Sequence, residues 1–205
     1  MLPPVDTRLG VHVLIHRGEQ RKPSSTGSLV ARVVTGATQH VYQRQSRFFP
    51  ALRLAASALQ PGRDVWILHP HGDPLPAAGD TSDAGARTAP QVVLLDGTWR
   101  QAGEMLRSVE GLGRCVRLPY EGLEQGRFWL REQPGPGHVS TAEALSSVLH
   151  AVGEHDAARC LRLHFELHVY AMLLARGRRE MAERYLGNSP LLAEAAPVLD
   201  RLHAR

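Results

Sequence analysis

Short apolar runs, each closed by turn chemistry and followed by a helical pattern, constrain this chain most. Val11-His12-Val13-Leu14-Ile15-His16 is short and β-branched, and reads as a buried strand. Residues 65–69, Val-Trp-Ile-Leu-His, read the same way, with Pro70 as their stop. Residues 91–95 are the clearest strand, and 114–118 form another that ends at Pro119. Helical spacing follows between and after these runs. It is carried over 98–109 by Trp99, Ala102, Met105, Leu106 and Val109. Ser140 opens a helix that runs to about Val152, and 157–175 repeats the pattern at positions 161, 165, 169, 172 and 173. Strands alternating with helices build a mainly parallel α/β sheet, a single domain. In such sheets ligands sit beyond the carboxyl ends of the strands, which turns attention to the loops after residues 15, 69, 95 and 118.

Other segments read less sharply. Residues 29–34 fit a strand or a helix that starts near Ser25 or Thr26, and 49–59 look helical up to Pro61-Gly62. Residues 71–90 and 134–137 are rich in Gly and Pro, as surface loops are. Residues 1–10 read as a tail, 11–180 as the domain, and 181–205 as a helical, rather polar extension.

Composition narrows the class. With 43% hydrophobic and 21% charged residues among 205, the chain can bury a sizeable core. No apolar run approaches the roughly 20 residues that span a bilayer, and Met1 to Gly10 lack the pattern of a signal peptide. Cys115 and Cys160 are too few and too far apart for a disulfide framework. A soluble cytoplasmic protein is expected. The net charge is +4, and Lys22 is the sole lysine among 24 basic residues. Arginines at 17, 21, 32, 44, 47 and 53 crowd the first quarter of the chain. A guanidinium grips phosphate bidentately and stacks on bases, which suits RNA, although a genome's nucleotide composition also yields such a bias.

Asp96-Gly97-Thr98-Trp99 lies between a strand and a helix. Gly97 permits a tight turn, and the free N–H groups of the helix start face the cleft. Asp96 either caps that helix, which would leave it a well-bonded and weak base, or serves chemistry or a cofactor. Trp99 serves packing or base stacking. No G-x-G-x-x-G follows a strand, and no G-x-S-x-G or P-loop occurs.

This tetrapeptide resembles the motif that names the DTW-domain family, and further pieces stand in the family's order. His16, Glu19, Thr26 and Gly27, within H-R-G-E-Q-R-K-P-S-S-T-G, resemble the early His…Glu…Thr-Gly segment. Leu68-His69-Pro70 is similar to the middle strand. Arg127 and Arg131, then Gln133-Pro134, lead into Ser140-Thr141-Ala142-Glu143-Ala144, similar to Ser-Thr-x-Glu-Ala. The resemblance implies a SPOUT-like fold with a trefoil-type knot. It also implies transfer of the 3-amino-3-carboxypropyl group of S-adenosylmethionine to N3 of a uridine in tRNA, with release of methylthioadenosine. By the same resemblance, Asp96, Thr98 and Trp99 carry the chemistry, with Asp96 as base or as the group that orients the uracil edge. His69, Pro70, Asp96, Gly97, Leu118, Pro119, Arg131, Ser140, Thr141 and Glu143 would hold the cofactor, and Ser140-x-x-Glu143 is also a capping box that needs no ligand. His16, Arg17, Glu19, Arg21, Lys22, Thr26 and Arg127 would meet RNA. Many bacterial relatives carry an N-terminal cysteine cluster that looks like a zinc site. Here no cysteine precedes Cys115, and His12, His16, His69 and His71 offer no ligand pair at a familiar spacing, so no metal is expected. An RNA methyltransferase of the SPOUT type and a non-catalytic RNA-binding domain are the rival readings.

Overall fold

Alternation along the strands decides the architecture. Val11, Val13 and Ile15 pack on one face of the sheet and Leu14 on the other; Val92 and Leu94 are likewise separated from Val93. Apolar residues on both faces require helices on both faces. The computed structural model describes residues 2–76, 88–118, 126–130 and 139–203, and it shows this three-layer arrangement. The strands are β1 (Gly10–His16), β2 (Thr38–Tyr42), β3 (Val65–Pro74), β4 (Gln91–Asp96) and β5 (Arg114–Arg117). They form one parallel sheet in the order β2-β1-β4-β3-β5. The helices are α1 (Thr26–Val33), α2 (Trp99–Ser108), α3 (Thr141–Ala151), α4 (His155–Ala175), α5 (Arg179–Gly187) and α6 (Leu192–His203). Met105 and Val109 at α2 close a smaller core against Leu14, Ile67 and Val93. The larger core joins the other face to α1, α3 and α4, and none of the described helices is long and apolar enough to cross a membrane.

The strands at 10–16 and 91–96 and the helices after 98, 140 and 155 match the sequence reading. Other segments were left open by that reading or depart from it. Residues 29–33 are helix: Ser25 caps α1 by accepting from the Ser28 N–H, so the helical alternative is the one realised despite the β-branched residues. The strand falls at Thr38–Tyr42 instead, at the sheet edge, where its outer positions are polar. Residues 49–59 hold only a single 3-10 turn, Ala56–Ala58. Pro50 disfavours helical backbone at Phe49, and of Phe48, Phe49, Leu52 and Leu54 only Leu54 is buried, so no apolar stripe exists to dock a helix.

Pro70 does not end β3. Its pairing with β5 slips between Leu68 and Asp73, both opposite Val116, so the chain bulges at 69–72. A proline has no ladder N–H to lose there. Gly72 lies so close to β5 that a β-carbon would meet Val116 N at 2.5 Å. The segment expected as a tail is anchored: Val5 is buried and its N–H donates to Val33 O at 2.8 Å. At the other end, Ala182 and Tyr185 of α5 and Ala195 and Leu199 of α6 join the larger core. Residues 134–137 lie outside the described residues, as does much of 71–90.

Candidate active site at the carboxyl edge of the sheet

Beyond the carboxyl ends of β3 and β4 lies a cavity of about 360 Å³. Its apolar wall includes Leu68, Leu94, Leu118 and Phe128. Polar groups enter from three helix starts: Ser25 and Thr26 at α1, Thr98 at α2, and Ser140 and Thr141 at α3. Asp96, the last residue of β4, is buried among them.

Two helices converge on this carboxylate. Oδ1 accepts from Thr141 Oγ1 at 2.6 Å and from Gly27 N at 3.2 Å, and Oδ2 accepts from Ser25 Oγ at 2.9 Å. Thr141 and Gly27 lie in the first turns of α3 and α1, whose positive ends favour a negative charge. Asp96 therefore does not cap its own α2. That role falls to Thr98, which accepts from Gln101 N and whose N–H donates to Gln101 Oε1 at 2.7 Å, a full capping box. A carboxylate oxygen offers about two acceptor positions. Among the described residues Oδ1 uses both, while Oδ2 has one left.

Gly27 and Gly97 are glycines for steric reasons. A β-carbon on Gly27 would come within 2.5 Å of Asp96 Cγ, and one on Gly97 within 2.9 Å of Gln101 Cβ. The chain bends at Gly97, as expected, but neither glycine has a positive φ, so close packing rather than a left-handed conformation is what requires them. Trp99 opens α2 at the cavity wall and is 44% exposed. His69 and Pro70 reach the cavity through the β3 bulge. Burial and the neighbouring His71 hold the His69 pKa below its ordinary value, so the ring is neutral at pH 7. Its Nδ1 accepts from His71 N at 3.3 Å, which leaves the proton on Nε2.

Of the other residues singled out in the sequence, Thr26, Leu118, Ser140 and Thr141 line the cavity. Glu143 is turned away from it: its oxygens accept from Ser140 N at 2.8 Å and from Arg127 N at 2.6 Å. Arg127 also points inward. It pairs with buried Glu166 at 2.5 Å, donates to Tyr185 O at 2.9 Å and covers the Tyr185 ring, so it braces α4 against α5. Glu19 is buried and paired with Lys22 at 2.7 Å, an anchor for the loop from β1 to α1. Arg17 and Arg21 are exposed. His16 lies outside the cavity, where its Nδ1 meets Gln101 Nε2 at 3.0 Å and accepts from Gly18 N at 3.1 Å. Pro119 and Arg131 fall outside the described residues. Ser25 and Phe128 were not singled out as site residues. Ser25 carried a signal, its place at a helix start, whereas nothing local marks Phe128 as a cavity wall.

No solved structure matches the chain. A family model described as DTW domain matches residues 1–173, a span that includes every element of the cavity. With most of its 205 residues covered by that match, the chain belongs to the DTW-domain family.

Proposed function

We propose that this protein transfers the 3-amino-3-carboxypropyl group of S-adenosylmethionine to N3 of a uridine in tRNA. Family membership is consistent with a role in tRNA modification. The observation that carries the finer reading is the buried Asp96 carboxylate at the cavity, fixed by Ser25, Gly27 and Thr141, with acceptor capacity left on Oδ2 among the described residues.

The residues fit such a donor. A volume of about 360 Å³ lies within the roughly 300–1,000 Å³ common for small-molecule sites. Leu68, Leu94, Leu118 and Phe128 offer apolar surface for an adenosine. When bound, S-adenosylmethionine supplies a carbon made electrophilic by the adjoining sulfonium, which leaves as methylthioadenosine. Asp96 Oδ2 accepts the uridine N3–H and receives its proton as N3 attacks. The three donors keep the carboxylate from swinging, so the base edge is aligned before reaction. Neutral His69 presents an Nε2–H donor at the same edge. Trp99 stands at the wall where the uracil ring enters. Ser140 and Thr141 open α3, whose positive end suits the donor's carboxylate, with Arg131 as its expected partner.

The test is incubation with bulk tRNA and S-adenosylmethionine, then mass spectrometry of the digested nucleosides. A uridine heavier by one aminocarboxypropyl group supports the reading. A methylated nucleoside with adenosylhomocysteine would instead assign a methyltransferase, and no product together with no thermal shift from the donor would assign a non-catalytic RNA-binding domain.

A further inference from the structure

Residues 20–63 contain Arg21, Lys22, Arg32, Arg44, Arg47, Arg53 and Arg63 and not one Asp or Glu. Within this stretch, at the tip of the segment after β2, stand Phe48 and Phe49, 79% and 50% exposed. Phenylalanines left this bare on a surface ask for a partner.

The segment is built to present them. Gln43 and Leu52 exchange two backbone hydrogen bonds of 2.9 Å, closing a loop. Inside it, Ser46 N donates to Phe49 O at 3.0 Å, and Ser46 Oγ accepts from Phe49 N at 3.2 Å. Arg17, anchored on Gln43, lays its guanidinium over the Phe49 ring at 4.9 Å, and Arg47 stands 5.9 Å from the Phe48 ring. One face of Phe49 is thus covered by a cation, and the ring is held rather than left to collapse inward. Parallel pairing puts this loop at the same sheet edge as Asp96. Contacts lead there directly: Trp99 and Ala102 line the cavity, Gln101 between them reaches His16, and Arg17 follows His16.

We infer that residues 44–53, with Arg17, form a clamp for unpaired RNA, in which Phe48 and Phe49 stack on bases and the arginines hold the phosphates between them. The charge commits the occupant: Arg44, Arg47 and Arg53 in a segment without a carboxylate, joined by Arg17 and interleaved with two aromatic rings, complement a polyanion whose bases are free to stack. A duplex, with its bases already stacked inside, has nothing to offer the rings. The inference deepens the transferase reading, on which it rests for the identity of its substrate. It assigns to the protein the nucleotides beside the target uridine, and requires them to be single-stranded.

Fluorescence anisotropy with a short unstructured RNA and with its blunt duplex tests this apart from catalysis. The wild-type protein is expected to favour the single strand. Phe48→Ala and Phe49→Ala should each weaken that binding about fivefold or more, with little effect on the duplex. Phe48→Trp and Phe49→Trp should retain it. Arg44→Gln and Arg47→Gln should each flatten the dependence of log K on log salt by about 0.7. Equal binding of single strand and duplex, or unchanged affinity in the double alanine variant with circular dichroism intact, overturns the clamp. So does sedimentation as a dimer that the double alanine variant disperses while RNA affinity stays the same, since the rings would then serve self-association. Methylthioadenosine release by the wild-type protein judges the transferase reading separately: single-strand binding without release would leave the clamp standing and remove that reading.

Discussion

Gly27 backs onto Asp96 with no room for a side chain, because a β-carbon there would lie 2.5 Å from Asp96 Cγ and 2.8 Å from Oδ2. The Thr-Gly pair at the start of α1 thereby lets a strand-end carboxylate seat itself against a helix N-terminus, where the Gly27 N–H also reaches it. This contact couples backbone packing to the proposed chemistry.

Gly27→Ala should separate the two. Its φ is not positive, so alanine meets no backbone strain, and the added methyl must displace Asp96 instead. Overpacking of this kind costs about 1–3 kcal/mol, partly offset by alanine's better helix propensity. A shift of the base-orienting group by even about 1 Å can cost roughly 10² in rate. Calorimetry is therefore expected to give a modest drop in Tm, while the initial rate of methylthioadenosine release falls about a hundredfold.

Arg127 and Glu166 predict the opposite pattern. The Glu166 side chain is 0% exposed and that of Arg127 15%, so removing either partner strips a buried charge of its close, bidentate partner. Arg162, 3.8 Å from Glu166 and half-exposed, still faces that carboxylate when Arg127 is removed, so the loss is expected toward the lower end of the roughly 3–5 kcal/mol that a broken buried pair costs. Denaturant unfolding of Arg127→Ala should show a loss of that size. The salt dependence of RNA binding, measured where the variant is folded, should be unchanged, since the guanidinium faces Glu166 and Tyr185.

His168 on α4 gives a pH dependence. Its Nε2 is buried with no hydrogen-bond partner among the described residues, and burial, helped by Arg32, lowers its pKa from 6.5 to about 4. The unfolded chain therefore takes up the proton first as the pH falls. Stability is whole above pH 6.5 and declines between 6.5 and about 4, and the lowered pKa values of His12, His40 and His69 act in the same direction. Thermal melts across this window should show Tm falling with acidification. In His168→Leu the fall should be shallower.

Which parts of this were legible in the sequence follows from how local their causes are. Residues 91–96 have an unmistakable apolar run, and Ser140 and Glu143 carry their capping box in four consecutive positions, so β4 and the start of α3 were readable. Asp96 was readable as a functional position, but its bonding was not. Its partners Ser25, Gly27 and Thr141 come from elements far away in sequence, and only the sheet order β1-β4 brings them together. Arg127 misled for the same reason. A lone arginine reads as a surface cation, and nothing nearby announces a buried glutamate 39 residues later. The segment 49–59 misled in another way: Phe49, Leu52 and Leu54 imitate an amphipathic stripe, yet Pro50 and a loop closed by Gln43 and Leu52 leave Phe49 and Leu52 in solvent.

The central claim is that Asp96 orients and deprotonates a uridine beside the donor. Replacement by asparagine keeps the size of the side chain but exchanges one acceptor oxygen for an amide donor, and removes the charge that takes the proton. The direct measurement compares wild-type protein and Asp96→Asn for tRNA-dependent methylthioadenosine release, with binding of S-adenosylmethionine followed by calorimetry. The account predicts one methylthioadenosine per modified uridine from the wild-type protein, and at least about a hundredfold loss in the variant with donor binding largely kept. Equal release by the variant, or adenosylhomocysteine as the wild-type product, would contradict it.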